Sequence, residues 1–196
     1  ALAFDVADAA ECDAALSHLV AAVGRSPDIL VNNAGINRRA SLASMHDDDF
    51  NAVLQANLVG PFVLCRGCAP AMRARKWGRI IMIGSIYTMT GRENVCAYAA
   101  SKHAISGLAK SLAAELAGDG ITVNTICPGY FRTQLTDSLQ HDTLFDAQVR
   151  SRSPIGRWGE PHEIAGPAVF FASEASAHCN GATLVVDGGM IETMHF

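Results

Sequence analysis

The chain has 196 residues, 49% hydrophobic and 17% charged, a globular profile with enough apolar material for one sizeable core. Its net charge of −4 argues against nucleic acid as the main partner, because phosphate binding wants a basic face. No uninterrupted apolar run reaches the roughly 18 residues that a membrane span needs. The opening Ala1-Leu-Ala-Phe-Asp5 lacks a signal peptide's basic region and cleavage site, and it lacks an initiating Met. A cytoplasmic protein is therefore expected. The six cysteines (Cys12, Cys65, Cys68, Cys96, Cys127 and Cys179) are scattered through apolar stretches, as buried thiols in a reducing compartment are. Cys65 and Cys68 form a C-x-x-C pair, but no second Cys/His pair stands at zinc spacing, so they read as packing residues and no metal site is expected.

Strands and helices alternate along the chain. Leu2–Val6 reads as a short strand. Asp8 to Gly24 reads as a helix, with Leu16, Leu19, Val20 and Val23 on one face and glycine as its stop. Asp28–Val31 reads as a fully buried strand running into Asn32-Asn33-Ala34-Gly35. Asp47 to about Arg75 reads as a long helix opened by three acids that suit its positive end, with Pro61 and Pro70 expected to bend it. Arg79–Gly84 is the next strand and Val95–Ala117 the next helix. Ile121–Ile126 is a strand ending in Pro128-Gly129, and 130–153 is polar and irregular, with short helices. Pro161–Ser173 reads as a helix with proline in its first turn, and Thr183–Val186 as a last strand before Asp187-Gly188-Gly189. Near-continuous apolar strands separated by helices predict one domain over 1–196, an α/β doubly wound parallel sheet. Its ligand belongs at the carboxyl ends of the strands.

The informative constellation is Ser85, Tyr98 and Lys102, with Asn57 upstream. Tyr98 and Lys102 are four apart on one helix face. A tyrosine titrates at about 10, and a lysine ammonium one turn away stabilises the phenolate, drawing it towards the range of general acid–base catalysis. Ser85 ends a strand, where its hydroxyl is placed to hold a carbonyl oxygen. Y-x-x-x-K alone is a weak signal, and the surrounding motifs give it weight.

With those motifs the whole chain resembles the short-chain dehydrogenase/reductase family. The resemblance rests on Asn32-Asn33-Ala34-Gly35, on Asn57 in Ala-Asn-Leu-Val-Gly-Pro-Phe, and on Ser85 thirteen residues before Tyr98. Val123-Asn124 followed by Pro128-Gly129, and Asp187-Gly188-Gly189, complete it. The resemblance implies a hydride-transferring oxidoreductase using NAD or NADP, commonly a homotetramer. It implies Tyr98 as acid/base, Lys102 as the residue that lowers its pKa and binds the ribose, and Ser85 as the group that polarises the substrate oxygen. Asn57 would kink its helix and hold a water that links Lys102 to solvent. Asp5 and Val6 would contact adenine, Asn32, Ala34 and Gly35 the adenosine side, and Pro128, Gly129, Phe131 and Thr133 the nicotinamide. Cys96, His103 and Asn124 read as packing or structural residues, and Trp158 as an anchor for a lid or a subunit contact.

A narrower resemblance, to gluconate 5-dehydrogenase and 2-keto-3-deoxygluconate dehydrogenase-like enzymes, rests on 35–39 (Gly-Ile-Asn-Arg-Arg), 128–133 (Pro-Gly-Tyr-Phe-Arg-Thr) and 156–161 (Gly-Arg-Trp-Gly-Glu-Pro). A sugar-acid carboxylate suits an arginine fork, and Arg38 or Arg39 is placed for it, with solvated loop charges as the plainer reading. The family's glycine-rich phosphate-binding turn is not in this sequence, so the chain is expected to be part of a longer subunit, with a bare apolar edge on the strand at 28–31. The alternatives are a general small-ketone (3-oxoacyl-type) reductase and a catalytically silent assembly module.

Overall fold

The computed structural model describes residues 1–193. Four parallel strands, β1 (Ile29–Asn32), β2 (Gly78–Ile83), β3 (Ile121–Pro128) and β4 (Thr183–Val186), lie in the order β1-β2-β3-β4. The helices are α1 (Ala9–Val23), α2 (Asp47–Leu54), α3 (Gly60–Arg75), α4 (Cys96–Leu116), α5 (Asp137–Gln140), α6 (Thr143–Arg152) and α7 (Ala165–Ala172). Successive side chains of β2 serve opposite faces. Ile80 and Met82 join Cys65, Cys68 and Met72 of α3 and Ile105 and Ala109 of α4 in one core. Ile81 and Ile83 join Ile126, Val186 and Phe171 of α7 in the other. Covering both faces is what makes these strands continuously apolar, and it confirms the doubly wound parallel architecture.

The helix boundaries follow the local chemistry. The Asp8 carboxylate caps α1, accepting from the Ala10 and Glu11 amides at 2.8 and 3.1 Å, and Gly24 ends it in the left-handed region at φ 79°. The 47–75 segment is one continuous helical rod with its irregularity at Gln55–Val59, a π-turn holding Asn57, and not at a proline. Pro61 directly follows the π-turn, in the first turn of α3, and Pro70 is accommodated inside the helix. By length and composition Asp47–Arg75 is also apolar enough to cross a membrane, but half of its most apolar window is buried within the fold, as in a core helix.

Two expectations need correction. Residues 2–6 form no strand, since their polar groups are used locally: the Asp5 amide donates to Glu11, the Ala7 amide to the Asp5 side chain, and the Asp8 amide to the Asp5 carbonyl. A strand needs a ladder partner, and among the described residues β1 pairs only with β2. For the same reason β1 is not fully buried. Ile29 and Val31 are 41% and 44% exposed, giving the bare apolar edge expected for it.

Phe171 anchors the smaller core, so Phe171→Ala is expected to cost about 3–5 kcal/mol, read as a lowered midpoint in urea unfolding.

Candidate active site

The candidate site is built at the carboxyl ends of β1, β2 and β3. β2 runs out through Gly84 into Ser85, whose hydroxyl caps a short 3-10 turn (Ile86–Thr88) by accepting from the Tyr87 amide at 3.2 Å. Gly84 is required there, because a Cβ would meet Cys127 Sγ at 2.8 Å and Thr88 Oγ1 at 2.7 Å. From across the opening, α4 presents Tyr98 and Lys102. The Lys102 ammonium donates to the Ile83 carbonyl at 2.7 Å and lies 5.5 Å from the centre of the Tyr98 ring.

Asn57, at the π-turn, binds the loop that leaves β1. Its Oδ1 accepts from the Ile36 amide at 2.8 Å, while Nδ2 donates to the Ile36 carbonyl at 2.9 Å and to Ser101 Oγ at 3.0 Å. Both protons of the side-chain amide are thereby used. Ser101 in turn donates to the Tyr98 carbonyl at 2.7 Å. Gly35 fits into this junction because it lacks a Cβ, which would stand 3.1 Å from Asn57 Oδ1 and 3.9 Å from Lys102 Nζ.

A cavity of about 510 Å³ opens in front of these groups. Of the sequence-predicted residues, Ala34, Gly35, Ser85, Tyr98, Lys102, Pro128, Gly129, Phe131 and Thr133 line it. Asn33, Leu135, Thr136, Pro161 and Ile164 do so as well, Leu135 and Thr136 from the lid and Pro161 and Ile164 from the turn that follows it. Asn57 stands behind the wall. Asp5, Val6 and Asn32 do not line the cavity. Asn32 turns into the core, where its Nδ2 meets Met82 Sδ at 3.2 Å and Cys65 Sγ at 3.4 Å. Asp5 and Val6 lie beside α1, where the Val6 carbonyl accepts from the Cys12 thiol and also packs against Gly60. Arg38 and Arg39 part company: Arg38 is drawn to Asp49 at 3.6 Å, while Arg39 sits near Tyr98, Tyr87 and Tyr130 and makes no ion pair among the described residues.

The lid leaves β3 after Gly129 and returns at Gly159. Its base is pinned by hydrogen bonds from the Gly159 amide to the Tyr130 carbonyl and from the Arg132 amide to the Gly159 carbonyl, both at 2.9 Å. Trp158 is 1% exposed and donates to Asp146 at 2.8 Å, and its ring meets Tyr130 and Phe145, so its anchoring role is inside the lid. Cys65 and Cys68 are buried packing thiols whose pKa values burial pushes up to about 12 and about 11. His103 only contacts the Ala99 carbonyl on the exposed side of α4.

Burial governs the electrostatics. It raises the Tyr98 phenol above its ordinary value, while the nearby Ser85 hydroxyl and Arg39 guanidinium pull it back. It also brings the Lys102 ammonium down to about 8. Among the described residues no cluster of His, Cys, Asp or Glu is arranged to hold a metal.

A parallel sheet with a Ser/Tyr/Lys set and an Asn at a helix irregularity, opening on a long cleft, defines a dinucleotide-dependent oxidoreductase. The chain belongs to the short-chain dehydrogenase/reductase family: residues 1–191 match the family model described as enoyl-(acyl carrier protein) reductase. It is 41% identical over 188 residues to the 5-keto-D-gluconate 5-reductase of Escherichia coli K12, covering 96% of this chain and 74% of that protein. To the 2-dehydro-3-deoxy-D-gluconate 5-dehydrogenase of Formosa agariphila it is 41% identical over 192 residues, covering 97% and 72%. The solved gluconate 5-dehydrogenase of Burkholderia cenocepacia J2315, in complex with NADP and tartrate, is 43% identical with a TM-score of 0.94, covering 97% of this chain and 74% of that one. The chain is thus an NAD(P)-dependent enzyme of that family, and its narrower likeness is to sugar-acid dehydrogenases.

Two predictions follow from the geometry. Asn57→Ala leaves the partly buried Ile36 amide without its acceptor, and should cost about 1–3 kcal/mol of stability in denaturant titration. Lys102 is a buried cation whose native pKa lies below its ordinary 10.5, so between about pH 8 and 10.5 the unfolded chain binds the extra proton and stability rises with pH. Lys102→Met is therefore expected to stabilise the fold at pH 7 and to lose that advantage by about pH 10.5, measured by thermal unfolding across pH.

Proposed function

We propose that the enzyme interconverts a secondary alcohol and a ketone on a sugar acid such as gluconate and 5-ketogluconate. The observation that carries this reading is the Ser85/Tyr98/Lys102 set on the cavity wall with Arg39 near the phenol, a guanidinium that makes no ion pair among the described residues. The cavity residues fit the nicotinamide end of the cofactor: Gly35 supplies a cradle that a Cβ would crowd, and Lys102 is the donor on the cavity wall suited to ribose hydroxyls. Ala34 and Gly35 would pass along the ribose, and Pro128, Gly129, Phe131 and Thr133 along the carboxamide. When bound, the nicotinamide supplies or accepts the hydride.

The chain's own residues handle the oxygen. Ser85 orients it, and Tyr98 gives it a proton as the ketone is reduced or removes one as the alcohol is oxidised. Lys102 stands beside the ring as a cation that favours the phenolate, and Asn57 keeps the β1 loop against it. Because burial holds the phenol above its ordinary value, carbonyl reduction, which needs the protonated form, persists to higher pH than an exposed tyrosine allows. Alcohol oxidation, which needs the phenolate, climbs with pH over the same range. The relatives with sugar-acid names support the substrate class, and the arginine near the phenol favours an anion over the apolar chain of a 3-oxoacyl substrate. The intact reacting set gives no support to a silent assembly module. The resemblance to the family supports a cytoplasmic homotetramer, checked by light scattering.

The test is turnover of gluconate with NADP and with NAD, followed through the absorbance of the reduced nicotinamide. Tyr98→Phe is expected to lower kcat by about 10²–10⁴-fold while sparing cofactor affinity. Retained turnover would remove Tyr98 from the chemistry, and turnover confined to neutral ketones would remove the sugar acid.

A further inference from the structure

Arg92 lies in the short loop between the Ser85 turn and α4, two residues before Asn94, whose backbone is in the left-handed region at φ 61°. That conformation is uncommon outside glycine and tolerated by asparagine, and it reverses the chain so that Arg92 faces the lid. Its guanidinium stacks over the Phe145 ring of α6 at 4.8 Å and donates to Tyr130 Oη at 3.3 Å. Tyr130 Oη is 2.6 Å from Tyr87 Oη, and the Tyr87 ring meets that of Tyr98 edge-on at 6.2 Å. Arg92 therefore stands one shared hydroxyl pair and one ring away from the reacting tyrosine, on the lid side of the opening.

Charge makes this placement unusual. Most arginines of the chain are answered by a carboxylate, as Arg79 is by Glu174, Arg132 by Glu160 and Arg157 by Glu163. Arg92 makes no such pair among the described residues, and neither does Arg39, which lies close enough to feel the charge of Arg92. Burial lowers the pKa of Arg39, and the nearby Arg92 lowers it further. The groups between them are three phenols, which offer hydroxyls but no negative charge at neutral pH. Two guanidinium forks over neutral hydroxyls form a receptor that an incoming carboxylate completes.

We propose that Arg92 is a second specificity-determining cation, which together with Arg39 grips the carboxylate of an open-chain polyhydroxy acid and ties acid recognition to the lid through Phe145 and Tyr130. The proposal rests on the sugar-acid reading and adds to it a residue, a lid contact and a two-cation mode of binding. Arg92 does not touch the reacting carbon, so its substitution is expected to act on KM far more than on kcat.

The experiment uses the complete protein with NADP present, and compares gluconate with neutral gluconamide in wild type, Arg92→Gln, Arg92→Lys and Arg39→Gln. Affinity is measured by calorimetry alongside turnover. Arg92→Gln is expected to weaken gluconate about tenfold or more, as the loss of a charge-assisted contact does, and to leave gluconamide unchanged. Arg92→Lys should recover part of the loss. An equal loss on both ligands, or a fall in kcat alone, would mean that Arg92 only positions the lid, and would overturn the proposal while the sugar-acid reading stands. Wild type binding the amide as well as the acid, or binding neither, would overturn both.

Discussion

The site depends on one side chain that joins three pieces of chain. Asn57 is fixed at a π-turn, grips both backbone groups of Ile36 and reaches Ser101 of α4. Without the extra residue in that turn, its amide would rotate away from the β1 loop. With it, Gly35 is drawn to within van der Waals reach of Asn57 and Lys102, and the wall of the cleft is set from β1 to α4. The bond to Ser101 is buried and the two to Ile36 are partly so, and the arrangement is held by the cost of leaving them unmade.

The same burial that orders the site charges it unfavourably. A lysine with a carbonyl partner and no carboxylate, next to a phenol held above its ordinary pKa, does not serve stability. The larger core of α3, α4 and β2 supplies the apolar burial that offsets it. The site's strain is local, and the sheet that carries it is regular.

How legible this was from sequence differs by element. The caps of α1, the last strand and the Ser85/Tyr98/Lys102 set could be read because each rests on local chemistry or fixed spacing. The irregularity at Asn57 was legible only through the family resemblance, since proline is the local sequence signal for a bend and here the break lies at neither proline. Leu2–Val6 looked like a strand because composition speaks of apolarity and not of pairing partners. Asn32 looked like a cofactor ligand through its motif, but alternation along β1 turned it to the Met82 and Cys65 sulfurs. Arg38 and Arg39 could not be separated, because only the fold places Asp49 beside one of them. Arg92 carried no periodic or spacing signal, and its meaning lies in what it faces across the opening.

The lid's mounting has a consequence for how such enzymes diversify. The segment between Gly129 and Gly159 departs and returns at one point, its two ends hydrogen-bonded to each other and its interior organised around Trp158. Such a loop approaches a cassette, held beyond its base by the Ile155 amide on the Gly188 carbonyl and by Arg92 on Phe145 and Tyr130. Its closure entropy is already met by the pinned base, and that cost grows only slowly with length. Insertions or exchanges within it reshape the chamber over Tyr98 without disturbing the register of β3 and β4, so new substrates are reached by swapping a module and not by rebuilding the sheet.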